Sequence, residues 1–255
     1  VNPADDAEGC TQAVLEMLDG TWSPDDASNA DYKVCAGGEV DTTPKLAPFK
    51  DCQLISGNLK FFIPIDFDVG STFASLIAVS GDVVFYNTGL KQLLRTTFPK
   101  LEAVGGTLLI AHNTDLLVAE GFPALHAVRG LVNVNNNAKL TSVQMLELQH
   151  VEDRLQVSQN AEIEAATFPK VKAVGEIWIE SNSQLRELDI SILHSCDGRF
   201  VVQSNANLNR LEAPALAMIS KDMYFQSNSQ MDTVSMPELT LVGKEYPEQS
   251  SSSNS

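Results

Sequence analysis

From about residue 57 to residue 242 the chain repeats itself about every 23 residues, and nothing else in it restricts the fold so tightly. A period of that size belongs to chains wound into stacked coils. One coil cannot bury its own apolar face, so stability must come from each coil covering the next. The reading is an all-β-dominated solenoid of about eight coils, with a small helical cap at the N-terminus.

Each repeat opens with a segment in which apolar residues alternate. The inward pairs are Leu59/Phe61, Val83/Phe85, Leu108/Ile110, Val132/Val134, Leu155/Val157, Ile177/Ile179, Phe200/Val202 and Met223/Phe225. Alternation with period two places both members of a pair on one face of a strand. A glycine stands two residues before the first member at Gly57, Gly81, Gly106, Gly130, Gly175 and Gly198, replaced by Asp153 and Lys221 in two coils. The expected reason is a tight turn entering the strand, with a positive φ that glycine tolerates.

Three residues after each inward pair comes an asparagine: Asn113, Asn137, Asn160, Asn182, Asn205 and Asn228. Asn87, one position early, is expected to play the same role. A buried asparagine donates and accepts at once, so it can satisfy backbone groups at a turn that has no strand partner. Stacking makes these residues a structural ladder. The return side carries Phe98-Pro99, Phe122-Pro123 and Phe168-Pro169, with Ala213-Pro214 and Met236-Pro237 as smaller versions. Proline removes a backbone donor, so this side should hold short irregular or strand-like pieces. The phenylalanines are expected to stack as a spine.

The opening Asp51-Cys52-Gln53-Leu54-Ile55-Ser56-Gly57-Asn58-Leu59 resembles that of receptor L domains, as in the epidermal growth factor and insulin receptors. The apolar–Gly–x–apolar–x–apolar rhythm continues through Phe73–Phe85 and Leu101–Asn113 and extends the resemblance over roughly residues 35–242. Similar coils occur in fungal GPI-anchored cell-wall proteins. The resemblance implies a right-handed β-solenoid with an extracellular recognition role. It also implies a disulfide between Cys35 and Cys52, which flank the entrance to the first coil. The chain departs from a receptor L domain by running its coils further, so no ligand-contact residue is carried across.

Four cysteines suit an oxidising compartment. Cys10 and Cys196 are left over by the implied pairing. They bond if the cap runs along the coils; alternatively Cys10 pairs with Cys35 and leaves Cys52 free. The domain reading is a cap over residues 1–50, a solenoid over 51–243 and a serine-rich tail over 244–255. In the cap, Thr11–Leu18 reads as one short amphipathic helix with Val14, Leu15 and Leu18 on one face, and Trp22 packed beside it. The last coil, near Leu239–Val242, lacks an obvious polar cap, which invites self-assembly or further modules there.

The formal net charge of −16 argues against nucleic acid and anionic membrane surfaces as partners. No apolar run reaches the length of a membrane span, so no direct membrane insertion is expected. Nucleophile elbows, zinc-protease motifs and phosphate loops are absent. No CxxC spacing occurs, and His112, His126, His150 and His194 are scattered, with only His126 and His150 one coil apart. No enzyme activity, metal or cofactor is expected.

Binding has a more definite place. Outward residues at mid-strand form the column Lys60, Val84, Leu109, Asn133, Gln156, Trp178, Val201 and Tyr224. Within it, Val84, Leu109, Trp178, Val201 and Tyr224 are the candidate ligand-binding residues, with Gln203 and Gln226 at the rim. Tyr86, Asn135, Ser158 and Glu180 lie around them. The expected function is extracellular or cell-surface recognition, as a receptor ectodomain or adhesion module holding a protein or glycan. The alternative is a structural subunit of an extracellular wall, scale or filament; a carbohydrate-active enzyme is third.

Overall fold

The structure, a computed structural model, describes residues 31–64 and 69–243. The expected helix Thr11–Leu18, Trp22, Cys10 and the serine-rich tail lie outside the described residues.

Strands recur three times per coil and stack into three parallel ladders. The longest ladder has nine strands: the second halves of Val34–Val40, Leu54–Phe61, His150–Ser158 and Ala173–Glu180, together with Val83–Tyr86, Leu108–Ala111, Val132–Asn135, Phe200–Gln203 and Met223–Gln226. The sheet thus begins one strand before the first repeat legible in the sequence, and the solenoid makes about nine turns. A second ladder holds pairs such as Ala78–Val79, Ala103–Val104, Ala127–Val128 and Ser195–Cys196. Four strands run unbroken around the corner between the two, which joins them into one 15-stranded sheet. The third ladder lies on the far side, from Gln92–Leu93 to Glu187–Asp189, and Arg210–Glu212 pairs with Thr233–Ser235 beyond it.

The inward pairs fill the prism between these ladders. All are fully buried except Met223/Phe225 in the last coil, which are partly buried against the core. The phenylalanine spine forms only in the early coils. Phe98 stacks on Phe122 at 5.3 Å between ring centroids, and Phe61 on Phe85 at 4.5 Å. Further along, Met145, Ile190, Ala213 and Met236 take turns with Phe168 at the return position, so the aromatic run is broken by aliphatic filling.

The glycine column requires a different reason from the one expected. Among the described glycines only Gly57 and Gly243 have a positive φ. At the others the space is missing: a Cβ on Gly130 would lie 2.8 Å from the carbonyl carbon of Gly106, and one on Gly175 would lie 2.0 Å from the carbonyl oxygen of Asp153. Successive backbones meet at this corner, where the Gly81 N–H donates to Gly57 O at 3.1 Å and the Gly106 N–H to Gly81 O at 3.0 Å. Only a residue without a side chain lets consecutive coils close to hydrogen-bond distance there.

Apart from Asp51, positive φ outside the glycines recurs once per coil, at Asn87, His112, Asn136, Gln159, Ser181, Ser204 and Ser227. Each stands immediately before a ladder position. Asn87 therefore turns the chain, and its neighbour Thr88 takes the ladder position, donating its N–H and its hydroxyl to Asn113 Oδ1 at 2.9 and 2.7 Å. From Asn113 to Asn205 the ladder residues are fully buried. Each side-chain oxygen accepts the N–H of the ladder residue one coil earlier, and each side-chain amide donates to a strand carbonyl, as Asn137 does to Ile110 O at 2.9 Å. The turn would otherwise carry orphaned backbone groups inside the core, so the asparagines hold the fold.

The disulfide between Cys35 and Cys52 is present, with 5.9 Å between Cα atoms. It ties the first strand to the entrance of the second.

Candidate functional site

The outward column follows strand pairing residue for residue. Lys60 pairs with Val84, Val84 with Leu109, Leu109 with Asn133, Asn133 with Gln156, Gln156 with Trp178, Trp178 with Val201 and Val201 with Tyr224. Glu39 extends the column at the N-terminal end. A second column runs beside it through Tyr86, Ala111, Asn135, Ser158, Glu180, Gln203 and Gln226. The result is a sheet face on which equivalent side chains repeat at one strand spacing, about 4.8 Å.

The expected contact residues share this face but are not equally available. Val84 is 8% exposed and Val201 only 3%, because larger neighbours in the column close over them. Leu109 and Trp178 are half-buried, and Tyr224 is 49% exposed. At Gln203 the side-chain amide donates to Glu180 Oε1 at 2.6 Å, which fixes both groups in one plane of the rim. Gln226 lies one strand further on and is exposed.

Trp178 is held by two residues that the sequence reading did not single out. The Arg154 guanidinium lies 5.0 Å from the centre of the indole and covers one ring face. Glu176 Oε2 accepts from Arg154 Nη2 at 2.7 Å, from Arg154 Nε at 3.0 Å and from Trp178 Nε1 at 3.2 Å. The Glu176 side chain is 16% exposed. Burial raises its pKa, but the bond to Arg154, that residue's charge, the bond from Trp178 and the charge of Arg199 together outweigh burial and hold the carboxyl below its ordinary value. The signal in the sequence was a pair of opposite charges at matching positions in successive repeats, since Arg154 pairs with Glu176 in the ladder.

In the middle of the face the amides bond to one another. Asn135 donates to Asn133 Oδ1 at 2.7 Å, Asn136 to Asn135 Oδ1 at 2.9 Å, and Gln156 to Ser158 Oγ at 2.9 Å. Such mutual bonding fixes these side chains relative to one another.

His126 and His150 do sit in adjacent coils, where the His150 N–H donates to His126 O at 3.2 Å. Among the described residues no cluster of histidine, cysteine or carboxylate groups is arranged to hold a metal ion. Cys196 is a free thiol buried in the core, and desolvation pushes its pKa up to about 11. No helix among the described residues is long and apolar enough to cross a membrane.

At the C-terminal end the last coil leaves Val234 47% and Val242 44% exposed. Asn228 receives the Asn205 N–H at 2.9 Å, but among the described residues no side-chain oxygen meets its own N–H.

Over 71 residues the chain is 34% identical to a cell surface GPI-anchored protein of Arthroderma benhamiae. The match takes in 28% of this chain and 18% of that relative, so the chain spans less than a fifth of the relative's length. No family model and no solved structure matches the chain.

Proposed function

We propose that this protein is a noncovalent recognition module of the cell surface or extracellular space, holding a protein or glycan through the outward face of its longest ladder. The observation that carries the reading is the row Trp178–Val201–Tyr224. It is an aromatic stripe in strand register, bordered by Gln203 and Gln226 and left uncovered at Tyr224. Rigid aromatic surface ringed by amides is a common composition of contact sites. The receptor L-domain-like opening around Cys52 and the surface location in the relative's name agree with this placement. The reading includes no catalysis; two carboxylates beside the stripe, Glu176 and Glu180, are committed to Arg154 and Gln203.

The test is binding of the labelled full chain to intact cells of its source, compared with the Tyr224→Ala and Trp178→Ala variants. Loss of binding in both supports the reading; retention at wild-type strength in both removes this face from it.

A second reading, a structural subunit of a wall or filament, is favoured by one feature: the exposed edge of the last coil, with Val234, Val242 and the Asn228 N–H. Sedimentation over a hundredfold concentration range decides it. Assembly that rises with concentration and disappears on Val242→Lys supports the subunit, and a concentration-independent monomer eliminates it.

A further inference from the structure

Resting on that recognition role, we infer that the ligand is a neutral β-1,4-linked sugar polymer lying along the coil stack, over Trp178, Val201 and Tyr224. Three properties of the face converge on this class. The first is periodicity. Equivalent positions recur at each strand, about 4.8 Å apart, and nothing in the column interrupts the repeat. An extended β-1,4-linked chain advances by close to one strand spacing per sugar and turns each sugar over relative to the last. Trp178 and Tyr224, two strands apart, therefore meet the same face of alternate sugars, and Val201 sits low beneath the sugar between them.

The second property is amphipathic order across the strands. The stripe is apolar and aromatic at its centre, while Gln203 and Gln226 stand in register along one border. A pyranose ring has the matching division, with an apolar C–H face for the aromatic ring and equatorial hydroxyls at its edges for the amides.

The third property is local charge. The chain as a whole carries −16, and Glu180 at the rim keeps its charge while it accepts from Gln203, yet the stripe of Trp178, Val201 and Tyr224 is itself uncharged and Glu176 beside it is matched by Arg154. A polyanion would be repelled by the protein at large, and the stripe itself offers a polycation no charge to pair with. A neutral ligand is the one complementary to this patch.

The experiment is co-sedimentation of the full chain with insoluble β-1,4-glucan and with chitin. An α-linked mannan and polygalacturonate serve as comparison polymers, at low salt and at about 0.5 M salt, where exposed charges are screened. The expected result is retention on at least one of the two β-1,4 polymers, insensitive to salt, and not on the comparison polymers. Tyr224→Ala should weaken it about tenfold. Tyr224 is half-exposed, so this variant leaves the core untouched, and Trp178→Ala should weaken binding at least as much. No retention on either β-1,4 polymer, equal retention by Tyr224→Ala, or preference for polygalacturonate would overturn the inference. If the wild type ignores both polymers while Tyr224→Ala and Trp178→Ala still lose binding to intact cells, the glycan falls and the recognition face stands. If the variants bind cells as well as the wild type does, both fall.

Discussion

Asn137 lies one coil beyond Asn113, and its single side-chain oxygen accepts both the backbone N–H of Asn113, at 3.0 Å, and that residue's side-chain amide, at 3.1 Å. The bond passes on in one direction, because Asn137 is in turn received by Asn160 in the same two ways. Replacing Asn137 by alanine leaves the Asn113 N–H unmet and takes one donor from the Ile110 carbonyl, in a fully buried place. The expected cost is about 3 kcal/mol, read as a lowered urea midpoint. Asn228→Ala, at the end of the ladder and only partly buried, should cost clearly less. Equal effects would mean that burial does not set the ladder's worth.

Gly130→Ala places a methyl group against the backbone of Gly106, which cannot move without carrying its coil. The expected cost is about 1–3 kcal/mol. At Gly38 the nearest neighbour of an added Cβ is the far end of the Phe49 ring at 3.4 Å, and alanine there should change the melting temperature little. The pair separates close packing between coils from glycine's backbone freedom, since neither position has a positive φ.

Reduction of Cys35–Cys52 opens a loop closed across 17 positions of sequence. A loop of this length is worth about 3 kcal/mol through the unfolded chain. The thermal midpoint should fall on reduction, and hydrogen exchange should rise first in Val34–Val40 and Leu54–Phe61. Uniform loosening along all coils would contradict a local staple.

Glu176 has its folded pKa held below the ordinary 4.5. The group is therefore deprotonated and paired in the folded state, and its contribution to stability is fully present above the unfolded value. That contribution is lost as the pH falls through the lowered folded value. In a Trp22→Phe background the fluorescence of Trp178 should titrate below pH 4.5, and Arg154→Met should move that transition upward. An unmoved transition would show that Arg154 does not hold the carboxyl.

Cys196, with its thiol buried and its pKa pushed up to about 11, should resist alkylation at pH 8 in the folded protein. Site-resolved mass spectrometry should find its modification rate following global unfolding in urea. Rapid labelling of the native protein would contradict the burial.

Much of the coil was legible because its signals are compositional. The apolar pair, the glycine and the asparagine are each residue types that the geometry demands, and they recur at one spacing. The positive-φ position was not legible, since Asn87, His112, Gln159 and Ser181 share no chemistry that marks it. Thr88 was missed for a related reason: its hydroxyl and N–H supply the ladder with donors only, a role that asparagine's pattern does not announce. On the face, register gave the membership of the column, but exposure depends on neighbours. Val201 is sunk because it stands between Trp178 and Tyr224, and Arg154 matters because it pairs with Glu176.

Parallel pairing in a fixed register makes the length of this surface a quantised property. Duplicating one repeat of about 23 residues extends every column together by one step of about 4.8 Å and leaves the cross-section as it was. An insertion of one residue within a strand instead turns the following side chains to the opposite face and sinks the column there. Lineages and designers can thus set the reach of the molecule in whole coils, independently of the chemistry presented on each.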